Sequence, residues 1–175
     1  MNREGGSTGH SQLLGRISSS AWLAPTAVLI GEVEIGSHSR IGPNSAVRAD
    51  SSRVTIGEHS IILENCFIKA SPPNSVTLGR RVMVGHRSVL EGCVVHDEAV
   101  LGAGVMVMEG AQIGKGALIQ PGTLVARNSV IPPYTLCRGV PGKAIRNLTP
   151  QEIAELKKRW VIFEHQFNNR LAPDN

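Results

Sequence analysis

Aromatic side chains make up only 3% of this 175-residue chain, so any core has to be packed from small and branched aliphatic residues. Long apolar runs are missing too. None approaches the roughly 18 residues needed to cross a bilayer, and the polar, Gly/Ser-rich residues 1–12 contain no apolar stretch of the kind a secretion signal carries. We therefore expect a cytoplasmic chain with no membrane contact and a flexible tail at residues 1–12. Cysteine is limited to Cys66, Cys93 and Cys137. Three widely spaced thiols with no C-x-x-C pair exclude a disulfide framework and a cysteine zinc knuckle, which leaves buried reduced thiols. The net charge of +4 comes from scattered Arg and Lys, densest at Arg80-Arg81 and Lys157-Lys158-Arg159. No aromatics are interleaved with them, so nucleic acid is not an expected partner. The length suits one domain and argues against a two-domain enzyme.

Period-two alternation and Asn-Gly hairpin signals are also lacking, which argues against an antiparallel sandwich. What recurs instead is an aliphatic residue every six positions. The run Ile17, Leu23, Leu29, Ile35, Ile41, Val47 resumes after an insertion as Ile56, Ile62, Ile68. After a longer insertion it continues as Leu78, Val84, Leu90, and after a one-residue deletion as Val95, Leu101, Val107, Ile113, Ile119, Val125, Ile131. Four residues beyond each stands a small or modest residue, among them Val33, Ser39, Ser45, Ser51, Ser60, Cys66, Ser88, Val94 and Ala117. Glycine often follows the aliphatic residue directly (Gly36, Gly42, Gly57, Gly79, Gly85, Gly102, Gly114), as expected of a sharp bend in the backbone. Each hexad reads as a short strand with two inward positions and a turn. Three hexads close a triangular coil, coils stack at about 4.8 Å, and six of them make a prism on the order of 30 Å tall. Residues 13–146 are assigned to this all-β solenoid, a parallel β-helix whose hand the period leaves open.

Residues 147–175 are assigned to a C-terminal α-helix and tail. Thr149-Pro150-Gln151-Glu152 is a helix start, with Thr149 as cap, Pro150 in the first turn and Glu152 completing a capping box. Ile153, Leu156, Trp160, Phe163 and Phe167 then form one apolar stripe, which predicts packing along the prism or on a partner.

The hexad count also places outward side chains. Once insertions and deletion are discounted, Val47, Ile68, Leu90 and Val107 open the third face of successive coils, which stacks Arg48, Lys69, Glu91 and Met108 in one column. Ile62 and Val84 open the second face, so Glu64 and His86 share another column, one strand apart. Asp50 lies two residues past Arg48. This polar set gathers near the middle of the prism over two adjoining faces, either as a ladder of surface charges or as a site between subunits.

At these residues the chain resembles the γ-class carbonic anhydrases, relatives of the hexapeptide-repeat acyltransferases. The resemblance spans nearly all of residues 14–150. It is carried by Ile30-Gly31-Glu32-Val33-Glu34-Ile35-Gly36, Ala46-Val47-Arg48-Ala49-Asp50, Glu64-Asn65, Val84-Gly85-His86, Leu90-Glu91-Gly92-Cys93 and Gly139-Val140-Pro141-Gly142-Lys143. It implies a left-handed β-helix and a homotrimer with a metal at each subunit interface. Three histidines hold that metal, two from one chain and one from its neighbour, and its bound water becomes a hydroxide that attacks CO2. His86 stands at one of those ligand positions. Lys69 and Glu91 stand at the other two, and a protonated ammonium is a poor metal ligand. Side by side in one column, they look like a matched exchange, an ion pair in place of a metal. Leu63-Glu64-Asn65 replaces the family's Gln-Asp-Asn, so the glutamine that orients solvent is missing while a carboxylate is kept. Arg48 and Asp50 are retained, and the resemblance gives them an intersubunit ion pair as well as a catalytic role.

Three functions are compatible with this reading, and whether the chain is an enzyme stays open among them. The first is a homotrimeric γ-carbonic-anhydrase-like scaffold or binding subunit for another protein, with a degenerate metal site, no ordinary zinc-dependent CO2 hydration and no expected cofactor. The second is an active carbonic anhydrase or hydrolase with zinc or iron on an altered ligand set of His86, Glu91 and Glu64. The third is acyl transfer from coenzyme A with His86, or more weakly His96, as general base. The short insertion at residues 71–75 argues against the third, and His10, His38, His59 and His165 read as solvated. The candidate catalytic residues are Glu64, His86, Arg48 and Asp50; the candidate metal ligands are His86 and Glu91, with Lys69 at the third ligand position.

Overall fold

The computed structural model describes residues 15–170, and 164–170 by backbone alone. The tail expected at residues 1–12 and the side chains of His10, His165 and Phe167 lie outside the described residues. Short strands such as Trp22–Leu23 and Val100–Leu101 wind into a left-handed parallel solenoid of about 6 turns. Every hexad aliphatic pairs with its counterpart in the next coil. On the second face Leu23, Ile41, Ile62, Val84, Leu101 and Ile119 line up, and on the third Val47, Ile68, Leu90, Val107 and Val125. The register counted from sequence is therefore the register of the ladders.

Ile41, Ile62, Ile68, Leu90, Leu101, Ile113 and Ile119 fill the bore and are fully buried. Beside them the small inward residues sit at the corners, where peptide groups leave the strand ladders. The buried serines serve those groups. Ser39 Oγ donates to the Gly57 carbonyl at 2.7 Å and accepts from the Ser60 N–H at 3.1 Å. Ser45 does the same with the Leu63 carbonyl at 2.9 Å and the Cys66 N–H at 3.0 Å. A hydroxyl with both roles filled costs little to bury and staples one coil to the next.

Two inward assignments slip by a residue or more. Ser51 is an exposed corner residue with φ 55°, and the buried position belongs to Val54; Val94 faces outward, and Cys93 is buried in its place. Residues two apart on a strand share a face. The small inward residue is thus fixed by the aliphatic that follows it, and an insertion or deletion moves it. The glycines after the aliphatic positions also have a different cause from the expected bend. Left-handed backbone occurs two residues later, at His38, Asn44, His59, Asn65, Arg81 and Arg87. At Gly57 and Gly85 a Cβ would lie 2.5 Å from the backbone of the next coil, so close stacking excludes a side chain there.

The helix Pro150–Arg170 starts as its capping box predicts. The Glu152 N–H donates to Thr149 Oγ1 at 3.2 Å, and the Thr149 N–H donates to the Glu152 carboxylate at 2.8 Å. Arg146 grips the same carboxylate through two N–H groups at 2.8 and 2.7 Å. That grip first, and the Thr149 N–H second, hold the Glu152 carboxyl down to about 2. The helix lies on its own prism, with Trp160 buried beneath it. Among the described residues no helix is long and apolar enough to cross a membrane.

Candidate functional site

Both insertions fall at the corner between the third and first faces. The strand Ala46–Ile56 carries the first around that corner, and an antiparallel bridge between Ser71 and Asn74 closes the second. Because the extra residues are looped out there, the third-face ladder runs on undisturbed. Arg48 is paired in register with Lys69, and Lys69 with Glu91, so the predicted column is present. Arg48 Nε donates to Asp50 Oδ1 at 2.5 Å across two residues of one strand.

At the next corner, between the second and third faces, Glu64 Oε2 faces His86 Nδ1. The carboxylate oxygen is closed off from solvent, while the imidazole is 54% exposed. Asn65, Arg87, Ala103 and Gly104 join the pair in lining an open hollow. Asn65 and Arg87 hold left-handed backbone, with φ 59° and 58°, one residue past Glu64 and His86. Sequence reading named Asn65 only as part of the family resemblance and missed Arg87, although their hexad position, three past the aliphatic, would have marked both as corner residues of this hollow.

The structure does not join Lys69 to Glu91. Among the described residues no ion pair links them, contrary to the expected exchange, and both side chains are half-buried. Register brings their backbones side by side but does not set the direction of a flexible four-carbon stem. His96 is exposed on a different corner and takes no part in the site. His38 and His59 stack with their ring centroids 5.1 Å apart, also away from it. Cys66, just behind Glu64, gives its thiol hydrogen to the Gly85 carbonyl at 3.2 Å, and burial pushes that thiol up to about 11. No thiolate nucleophile is available there.

These donors do not gather into a metal site. Among the described residues no group of three or more His, Cys, Asp or Glu is placed to hold one. His86 has Nδ1 turned to Glu64, Glu91 supplies one carboxylate, and the backbone between it and Arg48 carries the ammonium of Lys69. Within one chain this donor set does not fit a dication.

Beside the charged column runs an apolar one. Val28, Ala46, Phe67, Val89, Met106 and Leu124 pair in unbroken succession on the outer side of the third face. It is most open at Val28, 42% exposed, and at Met106, 39% exposed.

Comparison with known proteins fits this architecture. The bacterial transferase hexapeptide family (six repeats) matches residues 92–127. Over 147 residues the chain is 41% identical to a probable carbonic anhydrase of Methanocaldococcus jannaschii, covering 84% of this chain and 92% of that one. It belongs to the γ-carbonic-anhydrase-like hexapeptide-repeat family. A carbonic anhydrase of Geobacillus kaustophilus is 38% identical over 143 residues, 82% of this chain and 79% of that one. A solved hexapeptide transferase family protein from Anaplasma phagocytophilum superposes with a TM-score of 0.83 at 28% identity, over 89% of this chain and 92% of that one. In this γ-carbonic-anhydrase-like chain the repeat match begins at Gly92, one residue after Glu91, so the whole polar set lies outside it.

Proposed function

We propose that this chain is a homotrimeric γ-carbonic-anhydrase-like protein with a degenerate intersubunit metal site, acting as a scaffold or binding subunit rather than as a zinc-dependent CO2 hydratase. The observation that carries this reading is the register pairing of Lys69 with Glu91. These two occupy the column where the resemblance puts two histidine ligands. A dication arriving there meets an ammonium that must first lose its proton and be desolvated, and each metal bound would have to supply that free energy.

The apolar third-face column supports the trimer. A cyclic assembly covers it with the neighbouring subunit and brings the Arg48–Asp50 pair to the same seam. Glu64 then acts as a positioning residue for His86, and Arg48 and Asp50 brace the interface.

The test is metal content. Wild type and the double variant Lys69→His, Glu91→His are produced without a histidine tag in zinc- and iron-supplemented medium, and metal per trimer is measured by mass spectrometry. The wild type is expected to stay metal-free and the double variant to load close to one metal per interface. A wild type that loads near-stoichiometric metal, or a double variant that stays apo, overturns the reading.

One observation favours a second reading. The Glu64 carboxylate faces His86 Nδ1 beside an open hollow, a pairing that would orient the ring as a general base for acyl transfer. Calorimetric binding of coenzyme A that is saturable at one site per subunit would support it. Acetyl transfer to an added amine that is lost in His86→Asn would raise it above the scaffold.

A further inference from the structure

The C-terminal helix does not seal against the prism. Between the two lies a cavity of about 260 Å³. One wall is the apolar face of the helix, with Ile153, Leu156 and Trp160. The other is a column of corner residues, Arg81, Glu98, Gly116 and Tyr134, one from each of four successive coils. Gly116 matters to its shape, since a Cβ there would come within 2.5 Å of the Tyr134 ring, which folds over the corner.

The polar groups of the cavity are unbalanced. Its carboxylate, Glu98, is engaged by Lys115 Nζ at 3.6 Å. Its cations are not: among the described residues neither Arg81 nor Lys157 makes an ion pair. Trp160 is only 6% exposed, and its Nε1–H is buried with no acceptor. A buried donor without a partner is costly to keep and rare in native structures. Two cations without an ion pair thus line a space whose other polar side chains are Glu98 and Tyr134 and whose remaining surface is aliphatic and aromatic, with the buried Trp160 at its wall.

We propose that this cavity binds a small apolar carboxylic acid. A carboxylate only accepts hydrogen bonds and can take the charge of Arg81 and Lys157 together, while a branched or aromatic body lies against Ile153, Leu156 and Trp160. The volume suits a single-ring or short branched acid and is too small for a nucleotide cofactor. The site is on a different corner from Glu64 and His86, so it stands whether or not the metal-site reading holds. An acid bound there clamps the helix to four coils at once and stabilises the fold by mass action.

The experiment uses the full chain carrying Trp22→Phe, which leaves Trp160 as its one indole. Benzoate and 4-methylpentanoate are titrated against the fluorescence of Trp160, with benzamide and 4-methylpentan-1-ol as neutral counterparts, and melting temperature is followed in parallel. The acids are expected to give a saturable change and a raised melting temperature, and the neutral compounds neither. Arg81→Gln is expected to weaken acid binding by about tenfold or more. Lys157→Gln, on the helix, repeats the test should the corner substitution disturb folding. Absence of saturation, equal responses to acid and amide, or unchanged binding in both variants overturns the proposal.

Discussion

Two stretches of one solenoid use the same hexad to different ends. Residues 95–131 run through regular hexads, whereas residues 46–94 carry two insertions and one deletion at one corner and hold the candidate site from Arg48 to Glu91. The difference shows most clearly at the left-handed corner position. In the regular stretch it is filled by Glu98 first, then by Gly104, Gly110, Gly116 and Gly122, with Asn128 following. In the coils before it stand His38, Asn44, His59, Asn65, Arg81 and Arg87. A non-glycine residue in that conformation costs about 1–2 kcal/mol. Neighbouring coils on both sides over-determine the corner, so the cost is tolerated where a side chain is wanted and removed by glycine where it is not.

The sharpest way to break this comparison is to ask whether the irregular stretch is as tightly packed as the regular one. Ile68 and Ile113 are both 0% exposed, one in each stretch. Substitution of either by alanine is expected to cost about 2–5 kcal/mol, read from urea denaturation at fixed protein concentration. An Ile68→Ala variant costing much less than Ile113→Ala would show that the insertions have loosened the bore around the site.

The two kinds of glycine sharpen it at lower cost. Gly85 is hemmed in by the backbone of the next coil at 2.5 Å, while Gly104 has φ +66° and nothing within 4 Å of a built Cβ. Gly85→Ala is expected to lose about 1–3 kcal/mol by overpacking against atoms that cannot rotate away. Gly104→Ala is expected to lose about 1–2 kcal/mol from conformation alone, and Gly104→Asn much less, since asparagine visits that region readily. Equal losses for the two Gly104 variants would mean that the corner cost is not conformational.

These contrasts also mark what was legible in the sequence. The solenoid, its ladders and the columns Arg48–Lys69–Glu91 and Glu64–His86 followed from counting in sixes, because inward aliphatics and stacked backbones leave the register no freedom. What counting could not reach was direction. It put Ser51 and Val94 inside, because it measured forward from one strand instead of back from the next. It joined Lys69 to Glu91, because adjacency on a ladder says nothing about a long side chain. It saw the helix stripe but not the cavity beneath it, which depends on how Trp160 meets Arg81, Glu98 and Tyr134 from coils far apart in sequence.

The smallest expected effect concerns the joint between solenoid and helix. Thr149→Ala removes the cap from the Glu152 N–H and is expected to cost about 0.5–2 kcal/mol, read from the helical ellipticity and from Trp160 fluorescence on melting. Glu152 adds a pH signature. Its carboxyl is held at about 2 in the folded chain against 4.5 ordinarily, so the unfolded chain takes up the proton first as pH falls. The stabilisation is complete above the ordinary carboxylate value and is lost between about 4.5 and about 2. Glu152→Gln lacks it at every pH. The gap in melting temperature between wild type and Glu152→Gln should therefore be present at pH 7, narrow through that window and vanish at its lower edge. Because the Arg146 pair is solvent-exposed, the gap should be small and shrink further in high salt. A gap that persists unchanged at the acid end would assign the effect to the shape of the side chain rather than to its charge.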